Sequence, residues 1–298
     1  MKHYAAAVTA FVIWGFFAIP LRALAHYSSG EILYFRILFS TVILAVILLF
    51  RRREIGADWR QVRALTVSGR RTMLLLTFSG GVLLTLNWLT FIYIVNQINV
   101  KTASFSYLIC PVITAVLGYA LLRESLSRIQ WVAVALCAVS CIMMGLNSRM
   151  ELAYSFLTAF TYALYLISQR RNQGFDRILV LAAQVSFALV ILSVAFPLLV
   201  DALPVEGRFY TLILIVALFF TVLPLFLNLF ALNSLNSATI GILMYLNPLI
   251  NFTVAFVVYD EKISALQLVG YVIILGALLL FNLNNLRRLR ASVATSAS

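Results

Sequence analysis

The side chains able to do chemistry in this 298-residue chain are the few polar and aromatic groups that interrupt long apolar runs. Asn87, Asn96, Asn228, Asn247 and Asn251 are amides within or at the ends of such runs, and Asn247 and Asn251 are one helical turn apart. An amide facing lipid is costly, so each should face a protein interior, as glue between helices or as a contact for a solute. Trp14, Trp88, Tyr107, Tyr162, Tyr165 and Tyr245 form an aromatic set that lies deeper than interface anchors do, with Tyr93 nearer an end. Rings around a cavity suit a planar or amphipathic solute and can hold a cation. Arg36 must pair, snorkel or touch solute. Glu31, five residues earlier, offers an ion pair; the alternative is that an anionic group on a solute docks at Arg36.

Pro111 and Pro248 each remove a backbone donor in mid-span and free a carbonyl one turn earlier, as a kinked or gating helix beside a cavity would require. Glu124 and Glu261 close their runs at helix C-termini, where the macrodipole disfavours a carboxylate. The expected reason for them is capping of the next helix or binding of an arginine such as Arg128, and with Glu31 they are the carboxylates open to proton coupling. Cys110, Cys137 and Cys141 fall inside apolar runs without metal-ligand spacing, and His3 and His26 are the only histidines. No metal and no cofactor is expected. A membrane-embedded enzyme or lipid-handling protein would need a convergent nucleophile, base or metal cluster, and no such pattern is present. A Walker A pattern is missing too, so ATP is not the expected driver.

These residues need elements to position them. The chain is 63% hydrophobic and 11% charged, far from the balance of a soluble domain, so lipid must solvate much of its surface. The net charge of +12 does not point to nucleic acid, because the basic residues lie in short gaps between apolar runs. Runs long enough to cross a bilayer lie near 4–25, 31–50, 72–94, 100–121, 129–146, 150–169, 178–200, 210–233, 239–259 and 264–285. The first is expected to be retained as a span, since it is long, carries bulky Trp14, Phe16 and Phe17 and is followed closely by Arg22. If the N-terminus is cytoplasmic, the inner segments hold 16 of the 22 lysines and arginines and the outer segments and helix ends hold 6. This bias puts both termini in the cytoplasm and requires an even number of spans.

A repeat organises the spans. At a constant offset of 137, Asn96, Asn99, Thr102, Pro111, Glu124 and Gln130 match Asn233, Asn236, Thr239, Pro248, Glu261 and Gln267. At an offset of 148, Ala10, Trp14, Phe17 and Leu21 lie over Thr158, Tyr162, Tyr165 and Gln169, each set on one helix face. The halves are 1–147 and 148–286, with a short basic tail at 287–298. Five spans per half is an odd number, so the second half enters the bilayer from the opposite side. Inverted repeats of this kind place a solute site near the midplane.

The residues that carry a resemblance are Glu31-Ile32-Leu33, Arg36-Ile37 and Ser40 in span two and Asn87-Trp88 in span three. Ala103-Ser104, Tyr107, Pro111 and Leu117-Gly118 follow in span four, then Glu124, Leu126, Arg128 and Gln130-Trp131. With them the chain resembles the EamA-type drug/metabolite transporters, and within these the RarD-type permeases. The resemblance implies an all-α membrane fold of ten helices in two inverted five-helix repeats around a central cavity. It also implies a secondary transporter of the bacterial inner membrane; it does not imply a substrate, though it favours small amphipathic metabolites or drugs, the kind of solute that the aromatic set would suit. The asparagine usual before the span-four proline is Cys110 here, and the histidine usual before the span-two arginine is Phe35. The expected partners are the solute, the bilayer and, for a coupled mechanism, protons.

Overall fold

A computed structural model describes residues 2–172, 174–200, 202–232 and 243–281. Asn233, Asn236 and Thr239 of the repeat, the start of the ninth expected span, the end of the tenth and the tail arginines lie outside the described residues. Every regular element among those described is helical. The helices are α1 Lys2–Gly15, α2 Ala18–Arg22, α3 Ser29–Leu49, α4 Arg52–Ala64, α5 Val67–Tyr93, α6 Val100–Leu122 and α7 Arg128–Asn147. They continue with α8 Arg149–Arg171, α9 Arg177–Val194, α10 Phe196–Leu199, α11 Gly207–Ala217, α12 Leu223–Leu232, α13 Leu246–Val257 and α14 Ala265–Phe281. Wide π-turns at Ile94–Ile98 and Leu218–Val222 extend α5 and join α11 to α12.

Seven helical stretches are long and apolar enough to cross a membrane: Lys2–Arg22, Ser29–Leu49, Val67–Ile98, Val100–Leu122, Arg149–Arg171, Arg177–Val194 and Gly207–Asn228. Three shorter apolar helices accompany them, Arg128–Met143, Leu246–Val257 and Ala265–Phe281. Large apolar side chains such as Val46, Leu75, Ile142, Val190 and Val272 are exposed, as expected where the outer solvent is hydrocarbon.

Short polar caps set where several of the helices begin. Ser28 and Glu31 form a reciprocal capping box for α3, with Ser28 N–H donating to Glu31 Oε2 at 2.9 Å and Glu31 N–H to Ser28 Oγ at 3.1 Å. Asn99 Oδ1 accepts Thr102 N–H at 2.7 Å and Ser148 Oγ accepts Glu151 N–H at 3.2 Å. Asp176 takes the N–H groups of Ile178 and Leu179. Ser127 with Gln130 caps α7, and Ser264 with Gln267 caps α14 through the same pair of bonds. The repeated glutamines therefore start helices.

The basic stretch after the second span, outside the expected spans, is a helix, α4: Ile55, Trp59 and Val62 recur at helical spacing, and none of its residues is buried. Pro248 lies in the first turn of α13, just after a turn at Met244 and Tyr245 that follows helical Leu243, and the carbonyl its ring would strand, that of Met244, accepts Asn247 N–H at 3.3 Å. Pro111 does lie inside an unbroken α6. Glu124 binds an arginine as expected, the partner being Arg170 of α8 at 2.9 and 3.1 Å rather than the neighbouring Arg128. Glu31 serves as a cap and makes no ion pair with Arg36, which is buried elsewhere.

Packing joins helices that are far apart in sequence. α1 lies against α12 and α13, and α8 against α5 and α6. α3 meets α9 and α11, α9 also meets α5, α6 meets α13, and α7 meets α14. Gly15 lets α1 approach α13: a Cβ there would stand 2.6 Å from Ile250 Cβ.

Candidate functional site

Residues from both halves of the chain enclose a cavity of about 540 Å³. On α8, Tyr162, Tyr165 and Gln169 follow one another on one face because they are spaced by three and four residues. Phe11 and Trp14 of α1 and Phe17 of the following turn add rings, and Trp14 is fixed by its indole N–H donating to Phe220 O at 3.1 Å. α5 supplies Leu84, Trp88 and Phe91, and α6 supplies Tyr107. Asn228 of α12 and Asn247 of α13 complete the far wall. The rings touch in series: Phe17 stacks on Phe91 and Phe220, Phe91 meets Tyr107 edge-on, Tyr107 meets Tyr162, and Tyr162 stacks on Tyr165.

Arg36 occupies one end. It is 2% exposed and sits about 10 Å along α3 from that helix's first residue, at 1.5 Å per residue. Its guanidinium carbon lies 4.4 Å from the Trp88 ring centroid and 4.8 Å from that of Phe17. Nε–H donates to Thr221 Oγ1 at 3.0 Å, and Thr221 in turn donates to Val216 O. Nη1 is buried with no hydrogen-bond partner among the described residues.

The other end reaches the α8–α9 connection, where Asn172, Gly174, Phe175 and Arg177 line the cavity and Gly174 is exposed. α4 is tied to this mouth. Arg51 pairs with Asp176 at 2.6 Å, and Asp58 accepts Asp176 N–H at 2.9 Å. Burial raises the Asp58 carboxyl above its ordinary value, against the pull of that N–H.

Beyond Arg36 the bundle is closed. Tyr34, Phe35, Phe196, Phe209, Tyr210 and Tyr27 pack ring to ring there. At the same end, Glu261 accepts Val100 N–H at 2.6 Å, Lys101 N–H at 2.9 Å and Arg22 Nη2 at 3.3 Å. A carboxylate on the first N–H groups of α6 is favoured by the macrodipole. Glu151 adds two links, accepting Asn99 Nδ2 at 3.1 Å and Gln267 Nε2 at 3.2 Å.

Of the residues singled out in the sequence, Trp14, Arg36, Trp88, Tyr107, Tyr162, Tyr165, Gln169, Asn228 and Asn247 line the cavity. Asn87 is one layer behind, donating to Thr158 O at 2.8 Å and accepting the Tyr107 hydroxyl at 3.3 Å. Asn96 is buried in a π-turn, with neither side-chain polar atom bonded among the described residues. Asn251 donates to Asn247 at 3.3 Å from one turn further along α13, and Tyr245 packs beside the cluster around Phe105 and Tyr271. Glu31, Glu124 and Glu261 all lie off the wall, as do Phe35 and Cys110. Sequence reasoning missed Gln184, Thr221 and Phe220. Gln184 had a readable signal: it is the one amide in the apolar helix Arg177–Val194, is 1% exposed, and has no side-chain partner among the described residues. Gly80 and Gly81 bring α5 close to it, since a Cβ on Gly80 would stand 2.6 Å from Gln184 Nε2 and one on Gly81 3.0 Å from Gln184 O. Among the described residues no group of three or more His, Cys, Asp or Glu could hold a metal ion.

The EamA-like transporter family matches residues 1–146 and again 149–283. An uncharacterized transporter of Bacillus subtilis named YojE is 31% identical over 95% of this chain and 94% of its own length. The protein RarD of Streptomyces exfoliatus is 28% identical over 96% of this chain and 89% of its own. A solved crystal structure shares the fold with a TM-score of 0.64 at 11% identity, covering 94% of this chain and 97% of that one.

Proposed function

This chain belongs to the EamA-like transporter family, a multi-pass membrane protein of transport, and from its cavity we propose that it carries a small amphipathic or aromatic solute across the bacterial inner membrane by alternating access, without ATP. The observation that carries this reading is a cavity of about 540 Å³ that reaches the α8–α9 connection at one end and is sealed by rings and a carboxylate clamp beyond the other. Arg170, Arg171 and Arg177 flank the open end. By the bias of basic residues that end faces the cytoplasm, with both termini.

The seven long spans and three shorter apolar helices make up the ten crossings of this proposal. Two inverted halves are supported by the packing pattern. Exchanging each span with the one five later turns α1–α12 into α8–α5, α1–α13 into α8–α6 and α3–α11 into α9–α5. The pairs α3–α9, α6–α13 and α7–α14 map onto themselves. Two of the ion pairs obey the same exchange: Arg22–Glu261 becomes Arg170–Glu124, at the offsets of 148 and 137 found in the sequence. Such a pair of equivalent halves gives two packings of similar energy, which alternating access requires.

Solute flux into proteoliposomes of the purified full chain tests the proposal. Screening radiolabelled amino acids, nucleosides and amphiphilic drugs should find at least one whose uptake is saturable, needs no nucleotide and is absent from protein-free vesicles. Failure across the whole panel would count against transport, and the pH dependence of any flux found would decide proton coupling.

A further inference from the structure

We propose that Arg36 is the anion-binding end of the cavity and that the solute is a small organic carboxylate with a planar or apolar body. This deepens the transport reading and rests on it for the word solute. A buried guanidinium keeps its proton and therefore needs a counter-charge or a full set of acceptors. Arg36 has neither among the described residues: Nε–H is bonded to the neutral Thr221 hydroxyl, Nη1 is buried and unbonded, and no carboxylate lies within ion-pair distance. The cavity wall repeats the imbalance. Among the described residues it holds Arg36 at the closed end and Arg177 at the mouth, and no aspartate or glutamate.

A cation at the blind end of an apolar-walled chamber draws anions and repels cations, more strongly than it would in water. The carboxylate class follows from the free edge of the group. With Nε occupied by Thr221, Nη2 is left for the solute beside the buried, unpartnered Nη1, and guanidinium nitrogens match the oxygens of a carboxylate. The body of the solute follows from what surrounds that edge. Trp88 and Phe17 hold the guanidinium, and Phe91, Tyr107 and Tyr162 continue the apolar surface away from it. Arg36 thus discriminates among solutes that the aromatic wall alone would accept.

The test uses benzoate, phenylacetate and indole-3-acetate, each against its own amide, with phenethylamine as the cationic probe. Binding to purified full-length protein in detergent is read by calorimetry, and flux is read separately in proteoliposomes. At least one carboxylate should bind about tenfold more tightly than its amide, the scale of one charge-assisted hydrogen bond. Arg36→Gln should bring that acid down to the level of its amide and leave the amide unchanged, while Arg36→Lys should restore part of the preference. Equal binding of every acid and its amide to the wild-type protein overturns the proposal, as does no acid binding up to millimolar concentration. The wild-type comparison holds even if Arg36→Gln fails to fold. Tight acid binding without flux would keep the anion site and sink transport. Flux of acid and amide at equal rates and affinities would keep transport and sink the anion site.

Discussion

Asn87 shows how one amide can tie a wall together without touching what the wall encloses. Its Nδ2–H bridges α5 to the Thr158 carbonyl of α8, and its Oδ1 orients the Tyr107 hydroxyl beside the cavity. Asn87→Ala removes both bonds in a buried setting, and interhelical hydrogen bonds in membranes average about 0.6 kcal/mol each. The expected result is a loss of about 1 kcal/mol, with a lower unfolding midpoint and reduced transport together, while the chain still inserts. Tyr165→Ala differs, because Tyr165 is half-buried and faces the cavity. It should reduce uptake several-fold with the unfolding midpoint nearly unchanged. Uptake kinetics and thermal unfolding of both variants check the contrast, and unaltered uptake by Tyr165→Ala would remove it from the wall. That Asn87 faces protein was readable, since a lone amide in an apolar run has nowhere else to go. That it stands behind Tyr107 was not, because this depends on the rotation of α5 against α8, which spacing within one helix does not encode.

At the scale of elements, the repeated glutamate marks a shared way of ending a helix. A residue in the left-handed region follows both α6 and α13, Arg123 at φ 57° directly after α6 and Asp260 at φ 46° three residues past Val257, the last residue of α13. Both are closed by the next N–H: Glu124 donates to Gly118 O at 3.2 Å and Glu261 to Ala255 O at 3.0 Å, each bond reaching back six positions to satisfy an orphan carbonyl. The left-handed conformation costs a residue with a Cβ about 1–2 kcal/mol, and glycine gives back about 0.5–1 kcal/mol of that in unfolded-chain entropy. Arg123 and Asp260 are exposed. Arg123→Gly should therefore stabilise by about 0.5–1 kcal/mol, and Asp260→Gly by less, because aspartate tolerates this conformation better. Thermal unfolding in detergent measures both, and a destabilised Arg123→Gly would mean that its side chain has a role beyond the cap. The offset of 137 made this equivalence legible before any coordinates, but not its cause. Ser127 and Ser264, which with Gln130 and Gln267 cap the following helices, are visible in retrospect three residues before each glutamine. The π-turns had no signal, since one extra residue in a turn leaves an apolar run looking the same, and α4 was hidden by its arginines although Ile55, Trp59 and Val62 kept helical spacing.

For the molecule as a whole, the two ion pairs that exchange under the repeat differ in burial, and that difference bears on which state is favoured. The Glu261 side chain is 11% exposed and holds Arg22 and the first two N–H groups of α6, whereas the Glu124 side chain is 44% exposed and among the described residues its side chain holds Arg170 alone. An exposed pair is worth about 0–1 kcal/mol, while a largely buried carboxylate that also caps a helix is worth more. Both pairs are formed while the cavity is open beside Arg170, so of the two only Arg22–Glu261 stands at a closed end, and weakening it should release that end. Glu261→Gln keeps the shape and one acceptor but loses the charge, at a cost of about 1–2 kcal/mol, which shifts a two-state population about five- to thirtyfold. Glu124→Gln, at the end that is already open with its pair formed, should shift it less than about fivefold. Leu225→Cys on the cavity wall, in a background with Cys110, Cys137 and Cys141 replaced by serine or alanine, reports accessibility from each face to a membrane-impermeant maleimide. The unaltered pairs should give faster labelling from the face bearing Arg170 and Arg171, and Glu261→Gln should raise the rate from the opposite face while lowering the first. Equal rates from the two faces in every variant would mean that Glu261 only caps α6, and that closure of the far end rests on the packed rings of Tyr27, Phe35, Phe209 and Tyr210.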